Sequence, residues 1–288
     1  MAVVNTNIAA SLAQSSLMKN ERALGTAMEQ LSTGRKINSA GDNAAGLAIS
    51  TRMSSQIRGL DAAIRNANDA VSMVNTAEGA LDEITAMLQR MRELAVQAGT
   101  GTTDAADRTY LQSEFTALRT EIDRIADNTQ WNGRNILDGS AGASTGKSTV
   151  AFGIGQDGTA AQTLSTSFGN FNNTTGSLSG LASKVITGTT IASAITQAAA
   201  TVGEIDIVIA DVSSQRASFG AVTNRLTHAV DSLTNTKTNA EAARSQILDT
   251  DYASATSELA RTQIIQQAGT AMLAQANQLP QTVLALLQ

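Results

Sequence analysis

The sequence predicts a mainly α-helical protein: an elongated antiparallel coiled-coil rod with terminal helices, a β-hairpin and a small outer insertion rich in Gly, Ser and Thr. Three observations favour this fold. The chain has 3% aromatic residues and a single Pro among abundant Ala and Leu, a composition typical of long helices with narrow seams. Two long stretches repeat apolar residues at alternating steps of three and four. Both ends of the chain lack charged side chains over many residues.

The two uncharged ends are residues 2–18 and 262–288. Each is apolar and Ala-rich on much of its helical circumference, so neither has a face that plainly belongs to water. Two paired helices could not bury all of the large apolar side chains. We therefore expect the termini to be largely disordered in a free subunit and to fold when neighbouring copies surround them. The side chains expected to mediate this self-assembly are Ile8, Leu12, Leu17, Leu259, Ile264, Ile265, Met272, Leu273, Leu279, Val283, Leu284, Leu286 and Leu287.

The N-terminal helix is predicted to continue past its uncharged segment, because Leu24, Met28 and Leu31 keep the helical spacing. Gly and Asn then crowd into residues 34–43 and should end the helix. Asp42 or Asn43 is the expected N-cap of the helix that follows.

Residues 44–98 are predicted to form one helix with a coiled-coil seam, roughly 80 Å long at 1.5 Å per residue. A turn at 99–103 follows, and Asp104 can cap a shorter helix that folds back on the first. The seam of the first helix is Met53, Ile57, Leu60, Ile64, Ala67, Val71, Val74, Leu81, Leu88, Met91 and Ala95, and that of the second is Leu111, Phe115, Leu118, Ile122 and Ile125.

A β-hairpin is predicted next, because Asn132 and Gly133 lie between Trp131 and Ile136 and an Asn-Gly pair accepts positive φ. Residues 139–190 are dominated by Gly, Ser, Thr and Asn. Short strands such as 149–154 could build a small β domain there, and a surface insertion without one is the alternative.

Helical periodicity returns after the insertion and ends near Ile247. Asp249 and Asp251 then indicate a joint before the last helix, where helix capping is favoured over a calcium loop because the ligand pattern of an EF-hand is missing. The apolar series of this helix is Ile195, Val202, Ile205, Ile209, Val212, Phe219, Val222, Leu226, Val230 and Leu233.

This order of segments runs out and back, which predicts a rod with both chain ends at one tip and the insertion at the other. We divide the chain into an N-terminal helix and joint (1–44), the N-terminal part of the rod with its hairpin (45–140), the outer insertion (141–190), the C-terminal part of the rod (191–248) and a C-terminal helix (249–288).

Composition excludes several classes of partner. A net charge of −5 offers little to a phosphate backbone, so nucleic acid is not expected. The absence of Cys excludes disulfides, and the start of the chain lacks the pattern of a cleaved secretory signal. The uncharged C-terminal stretch contains too much Gln and Asn, as well as Pro280, to be a membrane span.

No residue pattern points to an enzyme, a metal or a cofactor. The lone His228 cannot form a His-based metal cluster and is expected on the flank of a helix. Matches to GxSxG at 142–146 and to GxGxxG at 153–158 lie within the Gly-rich insertion, and neither is followed by a predicted helix, which both motifs need. No GxxxxGK[ST] phosphate loop is present.

Three segments resemble the hallmark segments of bacterial flagellin. They are residues 31–50 (LSTGRKINSAGDNAAGLAIS), 88–97 (LQRMRELAVQ) and 266–288 (QQAGTAMLAQANQLPQTVLALLQ). The resemblance covers roughly residues 1–139 and 195–288, and long motifs at both ends in the right order make it specific.

The resemblance implies a structural subunit of the flagellar filament, which serves swimming motility outside the cell. It implies export through the flagellar type III apparatus, assembly beneath a filament cap protein, and a cytosolic export chaperone that holds the C-terminal region, including Leu273, Leu279 and Leu284. Alternatives are a hook-filament junction protein, which shares the terminal design, and a surface adhesin or antigen that acts through the outer insertion.

Two host contacts are also implied by the resemblance. Arg90, Leu94 and Glu114 match the patch that the flagellin-sensing Toll-like receptor reads in related proteins. Leu284, Leu286 and Leu287 match the C-terminal leucines that cytosolic inflammasome sensors read.

Overall fold

The structure, a computed structural model, describes residues 7–140, 148–155, 162–172, 176–188 and 190–286, with side chains at all of these except 148 and 279–286. Helices dominate, which confirms the predicted mainly α fold class. The elements are α1 (Ile8–Thr33), α2 (Ala44–Ala98), α3 (Ala105–Asn128), β1 (Gln130–Trp131), β2 (Arg134–Asn135), β3 (Ser148–Gly153), β4 (Thr163–Phe168), a 3₁₀ turn (Ser179–Leu181), α4 (Ile191–Leu248) and α5 (Tyr252–Leu286).

The chain divides into two compact units. Residues 1–57 and 238–288 form one, the terminal unit, and residues 58–237 form the other, the central unit. The division falls inside α2 and α4, so each helix contributes residues to both units.

The core of the central unit is shared by α2, α3, α4 and the insertion. Ion pairs join α2 to α4, and their α2 positions fall as their α4 positions rise, so the two helices are antiparallel as predicted. The pairs are Arg92 with Asp206, Asp82 and Glu78 with Arg216, and Asp61 with Lys237. From Ala67 to Ala95 the predicted seam of α2 lies in or against this core, and in α3 Phe115 and Ile122 are fully buried.

The apolar series predicted for α4 is wrong at one residue. Ile195 is 40% exposed, whereas Ala194 and Ala198 are buried. Ala198 is in contact with the turn after α2, because a Cβ built on Gly99 would lie 3.4 Å from its Cβ. The side of α4 that meets this turn is that of Ala194 and Ala198, which are four positions apart, and Ile195 lies outside it.

The turn between α2 and α3 depends on one buried cation. Asp104 accepts a hydrogen bond from the backbone N–H of Ala105, which confirms it as the cap of α3. Arg108, 2% exposed, donates from Nε to the carbonyl of Ala98 at 3.1 Å and from a terminal nitrogen to that of Thr100 at 2.9 Å. It thereby satisfies carbonyls that the end of α2 leaves without helical partners.

The predicted Asn-Gly hairpin is present, and the insertion, where strands were one of two alternatives, contains a second hairpin. Asn132 and Gly133 have φ of 50° and 76°, the conformation of a type I′ turn, and join β1 to β2. Strands β3 and β4 pair antiparallel over six residues, from Ser148 opposite Phe168 to Gly153 opposite Thr163. Leu164 and Phe168 belong to the core of the central unit, so this hairpin is stabilised by the helices rather than by a core of its own.

In the terminal unit two joints lie side by side. Gly34 ends α1 in the left-handed conformation with φ of 69°. The N–H of Lys36 donates to the carbonyl of Leu248 at 2.7 Å, and the N–H of Thr250 donates to that of Gly34 at 3.1 Å. Asp251 then accepts from the N–H of Ala253 at the start of α5, so its predicted capping role is confirmed.

At the start of α2, the predicted alternatives for the N-cap are resolved in favour of Asn43, whose Oδ1 accepts from the N–H of Gly46. Asp42 instead accepts from the N–H groups of Asn38 and Ser39, which lowers its pKa. Among the described helices, α4 alone is long and apolar enough to cross a membrane by length and composition. Its Ile205, Val208 and Val212 are buried in the core of the central unit instead.

Candidate assembly surface on the terminal helices

The site follows from how α1 and α5 pair. Asn7 caps α1 by accepting from the N–H of Ala10, and its Nδ2 donates to the carbonyl of Ala276 on α5 at 2.7 Å. Nearer the other end of α1, Asn20 Nδ2 donates to the carbonyl of Thr262 at 2.8 Å. Low numbers on α1 therefore meet high numbers on α5, and the two helices are antiparallel.

The pairing is closest at a glycine. A Cβ built on Gly269 would lie 2.9 Å from Cδ1 of Leu17, so the absence of a side chain on α5 lets Leu17 lie against its backbone. Leu17, Leu259 and Leu273 are half-buried. These three predicted assembly residues are thus partly covered within a single chain.

The other predicted assembly residues with described side chains point away from this pairing. Ile8, Leu12, Ile264, Ile265 and Met272 are between 43% and 68% exposed. Large apolar side chains that stay exposed on two paired helices form a surface that water solvates poorly. We call this set the exposed apolar face.

Further members of this surface were not predicted from the sequence. Met18, Met28 and Tyr252 are each more than half exposed. Met28 and Tyr252 lie outside the two uncharged segments on which the prediction rested, and Met18 is the last residue of the first segment. The helical spacing of Met28 from Leu24 and Leu31 was the available signal for that methionine.

The edge of the uncharged part of α5 is marked by an ion pair. Arg261 donates from Nε to Glu258 at 2.9 Å, and this hydrogen bond holds the pKa of Glu258 below and that of Arg261 above its ordinary value. From Thr262 onward α5 carries no charge. The arrangement is suited to association through apolar contact, and the described residues contain no group of three side chains that could hold a metal ion.

The remaining predicted assembly residues lie at the C-terminal end of the chain. The backbone of α5 is described to Leu286, whereas the side chains of Leu279, Val283, Leu284 and Leu286 and the whole of Leu287 lie outside the described residues. The inflammasome contact expected at the leucines stays a prediction.

The expected receptor patch is divided between surface and core. Arg90 pairs with Glu114 at 2.9 Å and with Glu93 at 3.0 Å. Both hydrogen bonds raise the pKa of Arg90, and the one with Glu114 has the larger effect. Leu94 is completely buried in the core of the central unit. Arg90 and Glu114 therefore lie on the surface of the chain, whereas Leu94 does not.

Comparisons with known proteins agree with the geometry at both ends of the chain. Residues 4–142 match the bacterial flagellin N-terminal helical region, and residues 202–287 match the bacterial flagellin C-terminal helical region. The flagellin of Bacillus subtilis (strain 168) is 43% identical, with 99% of each chain covered. The flagellar filament 33 kDa core protein of Treponema phagedenis is 39% identical, with 99% of this chain and 100% of that protein covered.

A solved structure shows the same fold at lower sequence similarity. A putative flagellar hook-associated protein from Vibrio parahaemolyticus superposes with a TM-score of 0.58 at 12% identity, covering 72% of this chain and 100% of that one. The family assignment depends on the full-length relatives and on the two matched terminal regions. On those grounds the chain belongs to the bacterial flagellin family.

Proposed function

We propose that the exposed apolar face of α1 and α5 is where copies of this chain join to build the flagellar filament. The chain is a structural subunit of that filament, and its relatives are structural proteins. The observation that carries the proposal is the exposure of Ile8, Leu12, Ile264 and Met272 on two paired helices, within segments that contain no charged side chain. Burying each of these side chains stabilises a contact by about 1.5–3 kcal/mol, and only another copy is certain to be present in a polymer.

The wider setting of the subunit is part of the same proposal. The subunit is secreted through the flagellar type III apparatus, an export chaperone covers its C-terminal region beforehand, and the filament cap and hook-filament junction proteins are its neighbours at the two ends of the polymer. Different segments of the chain have different roles. Of the segments 1–44, 45–140, 141–190, 191–248 and 249–288, the first and last join copies and the third faces outward.

The direct test places a charge on the exposed apolar face. Ile264→Lys should raise the concentration needed for seeded filament growth at least about tenfold, because one buried Ile is replaced by a cation. Gln267→Lys adds the same charge to an exposed polar position of α5 and is the control. Sedimentation and electron microscopy report growth. Equal growth of Ile264→Lys and wild type would exclude the face as an interface, and growth that stops at a short ring would favour a junction protein.

The folding of the two terminal segments is a further element of the proposal. They gain their stable structure on assembly, because a single chain covers Leu17, Leu259 and Leu273 only in part and leaves the exposed apolar face uncovered. Hydrogen exchange on dilute monomer should be much faster in α1 and α5 than in the central unit and should slow in the filament. A truncation lacking residues 266–288 should remain a helical monomer that cannot be seeded. Tails protected as strongly as the central unit in the monomer would contradict this.

Host recognition is proposed for the surface part of the receptor patch. Arg90 and Glu114 are half-exposed and hold each other in a fixed geometry. We expect purified monomer to activate cells that carry the flagellin-sensing Toll-like receptor, and Arg90→Ala to weaken that response more than Arg58→Ala, a change at an exposed arginine elsewhere on α2. If the wild-type monomer does not activate these cells, the proposal of host recognition is wrong.

A further inference from the structure

A small cavity in the central unit is lined by residues that have no role in the proposed assembly surface. Its volume is about 230 Å³, and it lies where α2 meets the β1–β2 hairpin and β3. Asn66, Asp69 and Met73 line it from one face of α2, Trp131 from β1 and Phe152 from β3. The α2 residues share a face because they are spaced three and four positions apart.

Two aromatic rings meet at this cavity in a chain that has few. Trp131 is the single Trp of the sequence, and aromatic residues are 3% of the whole. Trp131 and Phe152 are half-buried and pack against the core, which holds them in place. Aromatic faces carry negative electrostatic potential and attract cations, Trp most strongly.

A carboxylate without a partner lies beside the rings. Asp69 is exposed and makes no ion pair or hydrogen bond with any residue in the part of the chain that the structure describes. Arg65, one turn earlier on α2, does not pair with it. Asn66 donates from Nδ2 to the carbonyl of Gly153 at 3.2 Å, so its Oδ1 stays available as an acceptor.

We propose that this cavity binds an organic cation, an alkylammonium or guanidinium group. Among the residues that line the cavity, Asp69 alone carries a formal charge, and its carboxylate repels anions and would stay unpaired against a neutral ligand such as a sugar. The amide of Asn66 and the indole N–H of Trp131 are the other polar side-chain groups there. The volume suits one small cationic group rather than a drug-sized ligand, whose sites begin near 300 Å³.

The cationic group has two possible sources that share this chemistry. One is a free amine in solution. The other is a Lys or Arg side chain of a second copy in the filament, and this source rests on the proposed function. Both place positive charge between the rings and Asp69.

Tetramethylammonium chloride tests the site on the full-length monomer. We expect a saturable change in Trp131 emission and an upfield shift of the probe's methyl proton signal, with sodium chloride at equal ionic strength as the reference. Asp69→Asn should weaken binding roughly fivefold, and Phe152→Leu by a similar factor. Asp231→Asn, at an exposed carboxylate of α4, should leave binding unchanged. Responses no larger than those to sodium chloride, or equal binding by Asp69→Asn, would overturn the proposal.

Filaments distinguish the two sources. If a neighbour's side chain fills the cavity, assembly itself changes Trp131 emission in wild type but not in Asp69→Asn, and filaments no longer bind the probe. If filaments bind the probe as monomer does, the ligand is a free cation. Filaments that fail to form at all test the proposed function and leave the monomer titration as it stands.

Discussion

Asn20 on α1 donates a 2.8 Å hydrogen bond to the backbone carbonyl of Thr262 on α5, and both residues are buried. Its Nδ2 also donates to Gln266 Oε1 at 3.1 Å. The spacing of Asn20 between Leu17 and Leu24 places it in the apolar stripe of α1. A polar residue in such a stripe fixes the register of two helices, because a slipped pairing leaves its amide buried without a partner.

Replacing this amide should weaken the filament and spare the monomer. Asn20→Ala removes hydrogen bonds whose loss costs about 1–3 kcal/mol when a buried group is left unpaired. Because the termini are proposed to order only on assembly, thermal unfolding of the monomer should not change, whereas filaments should depolymerise at a lower temperature. Gln14→Ala, at an exposed position of α1, is the control. A monomer destabilised as strongly as the filament would show that α1 and α5 already pair in the free chain.

The glycine opposite Leu17 gives a matched pair of variants. Gly269→Val places a side chain within 2.9 Å of Leu17 Cδ1, whereas Gly25 on α1 has nothing within 4 Å of a built Cβ. Overpacking costs about 1–3 kcal/mol, so Gly269→Val should raise the concentration for seeded growth roughly tenfold. Gly25→Val should assemble like wild type. Equal behaviour of the two variants would mean that α1 and α5 pair differently in the filament.

The long helices and the hairpin could be predicted because local signals and packing agree. The bounds of α2, Ala44–Ala98, coincide with the predicted ones, since an apolar seam runs between a capping Asn43 and a turn that begins at Gly99. The Asn132-Gly133 turn needed no tertiary information, because few other pairs accept its backbone conformation.

The features that could not be predicted depend on packing among three elements rather than between two helices. Spacing gives a two-helix seam, but α2 packs against both α3 and α4, so its buried stripe is wider and includes Leu94. Likewise, α4 meets the turn at Gly99 with the side that carries Ala194 and Ala198, which the spacing of large apolar residues could not indicate. The buried role of Arg108 has no periodic signal at all, because its partners are backbone carbonyls.

Removing the buried cation should destabilise the central unit. Arg108→Met leaves the carbonyls of Ala98 and Thr100 without the guanidinium, and hydrogen bonds to charged groups contribute about 1.5–3 kcal/mol each. We expect the free energy of unfolding to fall by about 3 kcal/mol in urea, followed by the emission of Trp131. Arg58→Met, at an exposed site, should change it by less than about 0.5 kcal/mol. A similar small effect of both variants would show that water replaces the guanidinium.

The turn after β2 should make the central unit sensitive to acid. Burial alone would raise the pKa of Asp138, but hydrogen bonds from the hydroxyl and N–H of Ser140, at 2.6 and 2.8 Å, and from Asn135 at 3.0 Å outweigh it and lower the pKa. A lowered folded pKa contributes stability that is present above the unfolded value, about 3.9, and is lost as pH falls below it through the folded value.

Asp138→Asn should therefore flatten the acid limb of the stability curve. Between about pH 5 and pH 3 the free energy of unfolding should fall more steeply for wild type than for the variant, which is less stable at neutral pH because Asn accepts these donors less strongly. Ser140→Ala removes one donor and should show a smaller change of the same sign, while Ser232→Ala on α4, which does not contact Asp138, should follow wild type. Parallel curves for wild type and Asp138→Asn would mean that Asp138 keeps an ordinary pKa in the folded chain, and the hydrogen bonds from Ser140 and Asn135 would then have no role in acid unfolding.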